Sequence, residues 1–388
     1  MWFHRKGNMM QSIAFDCGTS AVRAALFCHN PKDLSEKPYV LDVITVPFVP
    51  ATYMNARQLK QRTQASIRQI IKKIPSSFQP QNSILGLSSP FYVSKTVQVT
   101  HQRQQPSKVI TEKEFHNFID ETQHAFEKDA KKQITDGEIS TFTSLPQKTH
   151  INGYQVEDPV GMTGKTVETS FYFEATTHEI LDTIKEFFIY HYPHTTFHVS
   201  SVAIANFQAL RAAYSNDLEF LVIDIGGEVT EITLSMEGIL EQMTSLPMGH
   251  MLLLRETASL LNVSLADASF MINRYTEHAL ESKKEEKIKP LILEFEDMWR
   301  KKLLIVLTAF TERYNIPPRV FFTGTGVLPF HKHICSEDMF RALFYTKNLS
   351  IEIITPDILS HRFGKHPFRG TSDFGLAALT LLGAESVV

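Results

Sequence analysis

The hydrophobic pattern along the chain alternates between short apolar strands and amphipathic helices. The stretches SIAFDCGTSAVRAALF (12–27) and FLVIDIGGEVTEITLSMEGIL (220–240) each predict a strand, a tight glycine turn and a second strand. A 3.6-residue apolar period predicts an amphipathic helix over 56–74. We therefore expect an α/β protein in which strand–turn–strand units recur with helices between them.

From about Pro90 the pattern changes to that of a small α+β module. FYVSKTVQV predicts a strand, and Thr111 with Glu114 forms a capping box that opens an amphipathic helix. Asn152-Gly153 is the favoured two-residue hairpin turn, and KTVETSFYFEAT predicts a last strand. We expect this strand–helix–strand–strand module to be inserted between the halves of a larger fold. The expected division is a tail at 1–11, a first lobe at 12–89 and 177–217, the inserted subdomain at 90–176, and a second lobe at 218–388.

The outer part of the second lobe is expected to be short. Between Tyr275 and Arg319 the pattern is helical only, and the span from Glu281 to Tyr314 predicts one long or broken helix. Pro317-Pro318 ends that helix.

Composition excludes some function classes. The chain has 388 residues and a net charge of −3, so it lacks the excess of positive charge that is typical of nucleic-acid-binding proteins. No apolar run approaches the ~20 residues that a membrane-spanning helix needs. The N-terminal tail carries Trp2 and Phe3 beside Arg5 and Lys6, which could touch a membrane surface, but an untethered tail is expected.

The cysteines and histidines give no strong signal. Three cysteines make no disulfide framework, which indicates a reducing, cytoplasmic compartment. His331, His333 and Cys335 stand at alternate positions. With no fourth ligand in view, a loop of solvated histidines is expected there rather than a metal site.

The candidate chemistry lies in the two hairpin turns. Each begins with a strand that ends in an aspartate, Asp16 or Asp224, followed by glycine and a hydroxyl residue. Glycine lets backbone N–H groups turn inward to cradle phosphate oxygens, and two facing aspartates suit Mg²⁺ held through water. A third glycine turn, Gly324-Thr325-Gly326, follows a buried strand and could pass under a flat base.

Three glycine turns in this order resemble the actin-like ATPase superfamily. INGYQVEDPVGMTGKTVETSFYF is similar to the inserted subdomain of the bacterial cell-division protein FtsA, and FLVIDIGGEVTEITLSMEGIL is similar to its second phosphate loop. The resemblance implies an actin-like, ribonuclease H-like two-lobed fold that binds ATP with Mg²⁺, the metal held by Asp16 and Asp224. The ATP-facing positions would be Asp16, Gly18, Thr19, Ser20, Asp224, Gly226, Gly227, Thr230, Gly249, Gly324 and Gly326. Gln208 would position the attacking water.

Three departures predict weakened nucleotide binding and weak or no ATPase activity. Glu228 stands where the family carries a third glycine, and a carboxylate there would repel phosphates. Ser269 and Ile272 align with the glutamate and lysine that hold ribose and adenine. The paired glycine of the family's next turn is reduced to Gly249-His250.

The resemblance also implies a function for the chain, with two alternatives. It implies an FtsA-like scaffold of cell division at the inner face of the cytoplasmic membrane, attached through a partner, with a second copy of itself as a further candidate partner. The shortened outer lobe instead resembles PilM, the type IV pilus assembly relative that grips the cytoplasmic tail of a membrane protein. A carbohydrate kinase is a distant alternative, because DCGTSAVR also resembles the first loop of those enzymes. Neither a general-base aspartate nor a substrate lobe for such a kinase is evident.

Overall fold

The computed structural model describes residues 9–33, 35–48, 56–134, 137–346 and 348–385. The tail residues Trp2, Phe3, Arg5 and Lys6 lie outside these ranges. In chain order the strands are β1 (Met10–Cys17), β2 (Ala21–His29), β3 (Tyr39–Pro47), β4 (Asn82–Leu87), β5 (Val93–Gln102), β6 (Ile139–Ile151), β7 (Tyr154–Val156), β8 (Thr166–Thr177), β9 (Thr196–Ser201), β10 (Phe220–Ile225), β11 (Thr230–Met236), β12 (Ile239–Leu246), β13 (Arg319–Thr323) and β14 (Ser350–Ile353). The α-helices are α1 (Ala56–Lys73), α2 (Glu112–Ala130), α3 (His178–His191), α4 (Val202–Ala213), α5 (His250–Leu261), α6 (Leu265–Thr276), α7 (Ser282–Thr311), α8 (Pro329–Cys335), α9 (Asp338–Arg341) and α10 (Phe374–Glu385).

Two five-stranded sheets repeat one topology. The first has the order β3-β2-β1-β4-β9 and the second the order β12-β11-β10-β13-β14. In each sheet the first three strands along the chain are antiparallel neighbours, and the next two join in parallel on the other side. The chain therefore forms two related lobes, as the repeated strand–aspartate–glycine pattern predicts.

Helices α4 and α10 pack between the two sheets. Ten of the twelve residues of α10 are buried, which explains why its sequence FGLAALTLLGAE is apolar on every side. A Cβ on Gly383 would lie 2.8 Å from Ile84 Cγ2, and Asn82 Nδ2 donates a 3.0 Å hydrogen bond to the Gly383 carbonyl. The last helix thus packs on the sheet of the first lobe, although the predicted second-lobe segment 218–388 contains it.

The outer faces of the two sheets are covered by different sets of helices. Helices α1 and α3 cover the first sheet, where Ile67, Ile70 and Phe188 are buried. Helices α5, α6 and α7 flank the second sheet, with Trp299 and Leu303 of α7 in its core. All regular elements between β12 and β13 are helices, which agrees with the short helical outer part that the sequence predicts.

The inserted subdomain is a four-stranded antiparallel sheet, in the order β5-β8-β6-β7, with α2 on one face. Phe118 and Phe126 of α2 pack against Phe171 and Phe173 of β8. The helix begins at the predicted cap, since the Thr111 hydroxyl accepts a hydrogen bond from the Glu114 backbone at 3.1 Å.

Three local expectations meet different outcomes. The hairpin turn at Asn152-Gly153 is confirmed, because both residues have positive φ and Ile151 pairs with Tyr154 across it. The expected loop of solvated histidines is wrong, because the segment is helical and only His333 of its two histidines is exposed. His331 lies on α8 and is fully buried, because its imidazole packs on Trp299 and Phe330. The short strand β9 has no counterpart in the sequence prediction.

Two kinds of feature are absent from the described residues. None of the helices there has the length and apolar character needed to cross a bilayer. No group of three or more histidine, cysteine, aspartate or glutamate residues there could hold a metal ion.

Candidate functional site

The two strand-ending aspartates occupy equivalent places in the two sheets. Asp16 is the last residue but one of β1 and pairs with Gly86 of the parallel neighbour β4. Asp224 holds the same place in β10 and pairs with Thr323 of β13. The turns that follow the two strands meet at the junction between the lobes.

A cavity of about 50 Å³ lies where these turns meet. Of the residues expected to face a nucleotide, those that line it are Asp16, Gly18, Thr19, Ser20, Asp224, Gly226, Gly227 and Gly324. The sequence argument therefore located the cavity, and the binding role of each residue stays a prediction.

The other predicted residues lie around this cavity rather than in its lining. Thr230 is buried and donates to the Met248 carbonyl at 2.8 Å. Gly249 packs against Gly227, where a Cβ would lie 2.2 Å from the Gly227 carbonyl oxygen. Gln208 is half-buried on α4. Two residues before it, the Asn206 side chain donates to Asp224 Oδ2 at 3.1 Å.

The two predicted adenosine-contact positions are also away from the cavity lining. Ile272 is buried in the core of the second lobe. Ser269 is half-buried on the same helix, α6. That the chain lacks polar contacts to ribose and adenine at these two positions therefore stays a prediction from the sequence alignment.

The two glycine turns touch each other directly. The backbone N–H of Glu228 donates a 2.9 Å hydrogen bond to Thr19 Oγ1. A Cβ on Gly227 would lie 2.7 Å from Ser20 Cβ and 2.9 Å from Thr19 Oγ1. Glycine is needed at 227 because the turns approach too closely for a side chain. The N–H donor and the hydroxyl that could cradle phosphate thus satisfy each other across the lobe junction.

Glu228 is held by a cation of its own lobe. Its two carboxylate oxygens accept from Arg255 Nη1 at 2.6 Å and from Nη2 at 2.9 Å, a bidentate pair. Both side chains are mostly shielded from solvent, with exposed fractions of 23% and 18%. Charge-assisted bidentate pairs are geometrically specific and strong. The repulsive carboxylate expected from the sequence is therefore neutralised by α5.

Buried carboxyl groups extend from the cavity toward the inserted subdomain. Burial, together with the nearby Glu231 and Asp16, raises the pKa of Asp224 to about 7. Burial also raises the pKa of Asp16, and Arg23, whose Nη1 lies 3.8 Å from Asp16 Oδ2, opposes that rise. Glu231 accepts from Tyr92 Oη at 2.9 Å and from the Ser89 backbone at 3.1 Å.

Arg23 and Glu231, both cavity-lining residues, were missed at the sequence level. Glu231 is the register partner of Asp224 on β11, and Arg23 is the register partner of Asp16 on β2. The strand after each glycine turn thus brings a charged side chain back to the cavity. Pairing the two strands of each hairpin in register could have predicted both residues from the sequence.

His250 lies against the third glycine turn. Its Nδ1 is 2.9 Å from the Gly226 carbonyl oxygen and 3.4 Å from Thr325 Oγ1. A Cβ on Gly326 would lie 2.8 Å from His250 Cβ. Burial lowers the pKa of His250, which favours the neutral imidazole. The space beside this turn is therefore filled by protein.

These contacts decide whether the cleft, as it stands, has room and free donors for ATP with Mg²⁺. Small-molecule pockets usually enclose about 300–1,000 Å³, whereas this cavity has about 50 Å³. The Glu228 N–H is engaged by Thr19, and His250 packs beside the third turn. In this arrangement of the two lobes the cleft does not fit the nucleotide, and Asp16 and Asp224 lie there as a carboxylate pair with raised pKa values.

The fold and the cleft define the class of protein. The chain has the two-lobed actin-like ATPase fold, and its similarities are to proteins of the FtsA/PilM type. No protein-family model matches the chain.

FtsA and PilM are among the proteins to which the chain is similar. Cell-division protein FtsA of Helicobacter pylori J99 is 22% identical over 215 residues, 55% of this chain and 41% of the relative. FtsA of Helicobacter pylori 26695 is 22% identical over 211 residues. The chain therefore spans less than half the length of these curated relatives. Among solved structures, the PilM–PilN type IV pilus biogenesis complex matches with a TM-score of 0.63 and 17% identity, over 98% of this chain and 99% of that one.

Proposed function

We propose that this protein is an actin-fold scaffold that joins cytoplasmic components to a membrane-embedded assembly without using the cleft for catalysis. The observation that carries the proposal is the closed cleft, in which the two glycine turns bond to each other through Thr19 and Glu228. A cleft closed by its own residues favours a fixed lobe geometry rather than a nucleotide-driven cycle.

The inserted subdomain supports the scaffold role because it is tied to both lobes. On the first lobe, the backbone N–H of His178 donates to the carbonyl of Glu138 in the subdomain at 2.9 Å. On the second lobe, Gln147 bonds both backbone groups of Leu240, at 2.9 Å and 2.5 Å. These bonds hold the subdomain and the two lobes in one arrangement, which is the property a scaffold needs.

The relatives suggest two settings for such a scaffold. The PilM match extends over nearly the whole of both chains, and PilM in that structure is in complex with PilN. We therefore place a pilus-type assembly first. A division role is the second candidate, favoured by the sequence match to FtsA. Either setting puts the protein at the inner face of the cytoplasmic membrane through a partner. The carbohydrate-kinase alternative gains no support, because a cavity of about 50 Å³ cannot hold a sugar beside a nucleotide.

Deletion and localisation in the native organism test the proposal. We expect a functional fluorescent fusion to collect at the cell envelope. Loss of surface pili on deletion supports the pilus setting, whereas filamentous undivided cells support the division setting. A fusion spread evenly through the cytoplasm, with neither defect on deletion, contradicts both.

A further inference from the structure

A second and larger cavity lies away from the cleft, between the inserted subdomain and the second lobe. It has a volume of about 480 Å³. One wall is the face of the subdomain sheet opposite α2, and the other is the β11–β12 hairpin, including Glu237 and Glu241. We name this cavity the acidic groove.

Strand register arranges the sheet wall in two rows. Ser170 of β8 lies between Gln98 of β5 and Lys148 of β6. Glu168, the next residue of β8 on the same face, lies opposite His150 of β6. The adjacent bonds from Gln147 to Leu240 hold the two walls together. Ser170, Glu168 and Glu241 thus lie on strands, which position side chains more accurately than loops do.

The charges in the groove are unbalanced. Three carboxylates, Glu168, Glu237 and Glu241, face one ammonium, Lys148, which leaves a net charge of −2 with His150 neutral. Lys148 forms an ion pair with Glu237. Within the described ranges neither Glu168 nor Glu241 has an ion-pair partner. Glu241 is half-buried, and burial followed by the Glu237 charge raises its pKa.

A buried hydroxyl in the same wall lacks a hydrogen-bond partner. Ser170 is 4% exposed, and its Oγ makes no hydrogen bond to any part of the chain that the structure describes. Leaving a buried polar group unsatisfied is costly. A ligand that brings N–H donors together with positive charge would satisfy this hydroxyl and both free carboxylates.

We propose that the acidic groove binds an arginine side chain carried by an extended segment of a protein partner. The guanidinium group has five N–H donors in a planar fork, which suits it to carboxylates such as those of Glu241 and Glu168 and to a hydroxyl such as that of Ser170. Segments next to the cytoplasmic end of a membrane helix carry an excess of lysine and arginine. The partner assignment therefore rests on the proposed scaffold function, while the binding chemistry rests on the groove alone.

Fluorescence anisotropy with a labelled peptide tests the groove directly. The probe is a fluorescein-labelled Gly-Ser peptide bearing three spaced arginines, with a glutamate-substituted version as the negative control. We expect the full chain to bind the arginine probe and the double variant E168Q/E241Q to bind it roughly tenfold more weakly or worse. We also expect S170A to lose several-fold in affinity for this probe.

A matched double variant separates the groove from general charge attraction. Glu138 and Glu157 are exposed residues of the same subdomain outside the groove lining. E138Q/E157Q makes the same change in net charge and is expected to bind like the unaltered chain. Equal loss in both double variants, or no binding by the folded unaltered chain, overturns the inference.

Spermidine distinguishes a peptide site from a site for small cations. We expect it to compete only weakly, and competition equal to that of the unlabelled peptide overturns the assignment to a protein segment. Envelope localisation of the fusion protein despite absent peptide binding would show that the groove inference alone has failed.

Discussion

The backbone N–H of Glu228 donates a 2.9 Å hydrogen bond to Thr19 Oγ1, and this bond joins the glycine turns of the two lobes. Both groups belong to the loops that a phosphate would occupy in an open cleft of this fold. The two loops are 209 residues apart in the chain, so their contact closes the molecule at the lobe junction. Four predictions follow from this arrangement and from the contacts around it.

The first concerns nucleotide affinity. Mg-ATP is expected to give no measurable heat of binding in calorimetry with the unaltered chain, because the cavity has about 50 Å³ and the Glu228 N–H is engaged. Glu228→Gly is expected to behave in the same way, since the Glu228 carboxylate already bonds Arg255 outside the cavity lining. Micromolar binding by the unaltered chain would refute the closed cleft, and binding by the variant alone would identify the carboxylate as the obstacle.

The second concerns the ion pair at Glu228. Arg255→Ala removes both hydrogen bonds and leaves a mostly shielded carboxylate without its cation. We expect a loss of about 1–3 kcal/mol in the free energy of unfolding, measured with urea. Arg362→Ala is the control, because Arg362 pairs with the half-exposed Glu385 and such surface pairs contribute about 0–1 kcal/mol. Equal losses in the two variants would show that the Glu228 pair is an ordinary surface contact.

The third concerns pH. Burial raises the pKa values of Asp224 and of Glu174, a buried residue of β8, to about 7. Between about pH 4 and pH 7 the folded state therefore binds more protons than the unfolded state. Stability from these groups is therefore greatest at acid pH and falls as the pH rises to about 7. The limiting slope is roughly 1.4 kcal/mol per pH unit for each group.

Asp224→Asn isolates the contribution of one carboxyl group. We expect this variant to be more stable than the unaltered chain at pH 8, with the advantage shrinking toward pH 5. Urea unfolding at pH 5, 6, 7 and 8 measures the difference. A constant difference across that range would mean that Asp224 titrates normally.

The fourth concerns the contact between the inserted subdomain and the second lobe. Gln147→Ala removes both hydrogen bonds to the Leu240 backbone and is expected to cost about 1–3 kcal/mol. Hydrogen–deuterium exchange should show faster exchange of the Leu240 amide than in the unaltered chain. Gln155→Ala, at an exposed position on β7, is the control. Unchanged exchange at Leu240 in Gln147→Ala would mean that the two units are held together by other contacts.

Much of the secondary structure was predictable from the sequence because its signals are local. The hairpin at Asn152-Gly153 needs only the backbone preferences of two adjacent residues. The single helix α7 follows from a sustained apolar period, in spite of Pro290 within it. The strand β9 was missed because TFHVSS is too short to show a clear alternation.

Side-chain partners between distant segments were not predictable. Glu228 was expected to repel phosphate, and the sequence pattern offers no sign that Arg255 would neutralise it. The buried position of His331 depends on Trp299 and Phe330, one of which lies on another helix. The surroundings of Glu228 and His331 are therefore set by tertiary contacts and not by local sequence preference.

The sequence by itself determined the two strand–aspartate–glycine units, the inserted subdomain and the helical outer lobe. Periodicity and glycine placement act over a few residues, and the resemblance to the FtsA/PilM type follows from those local units. Only the tertiary structure decided that the cleft is closed and that the subdomain bridges both lobes around an acidic groove. Both features depend on ångström-scale distances between segments far apart in the chain, which residue patterns do not encode.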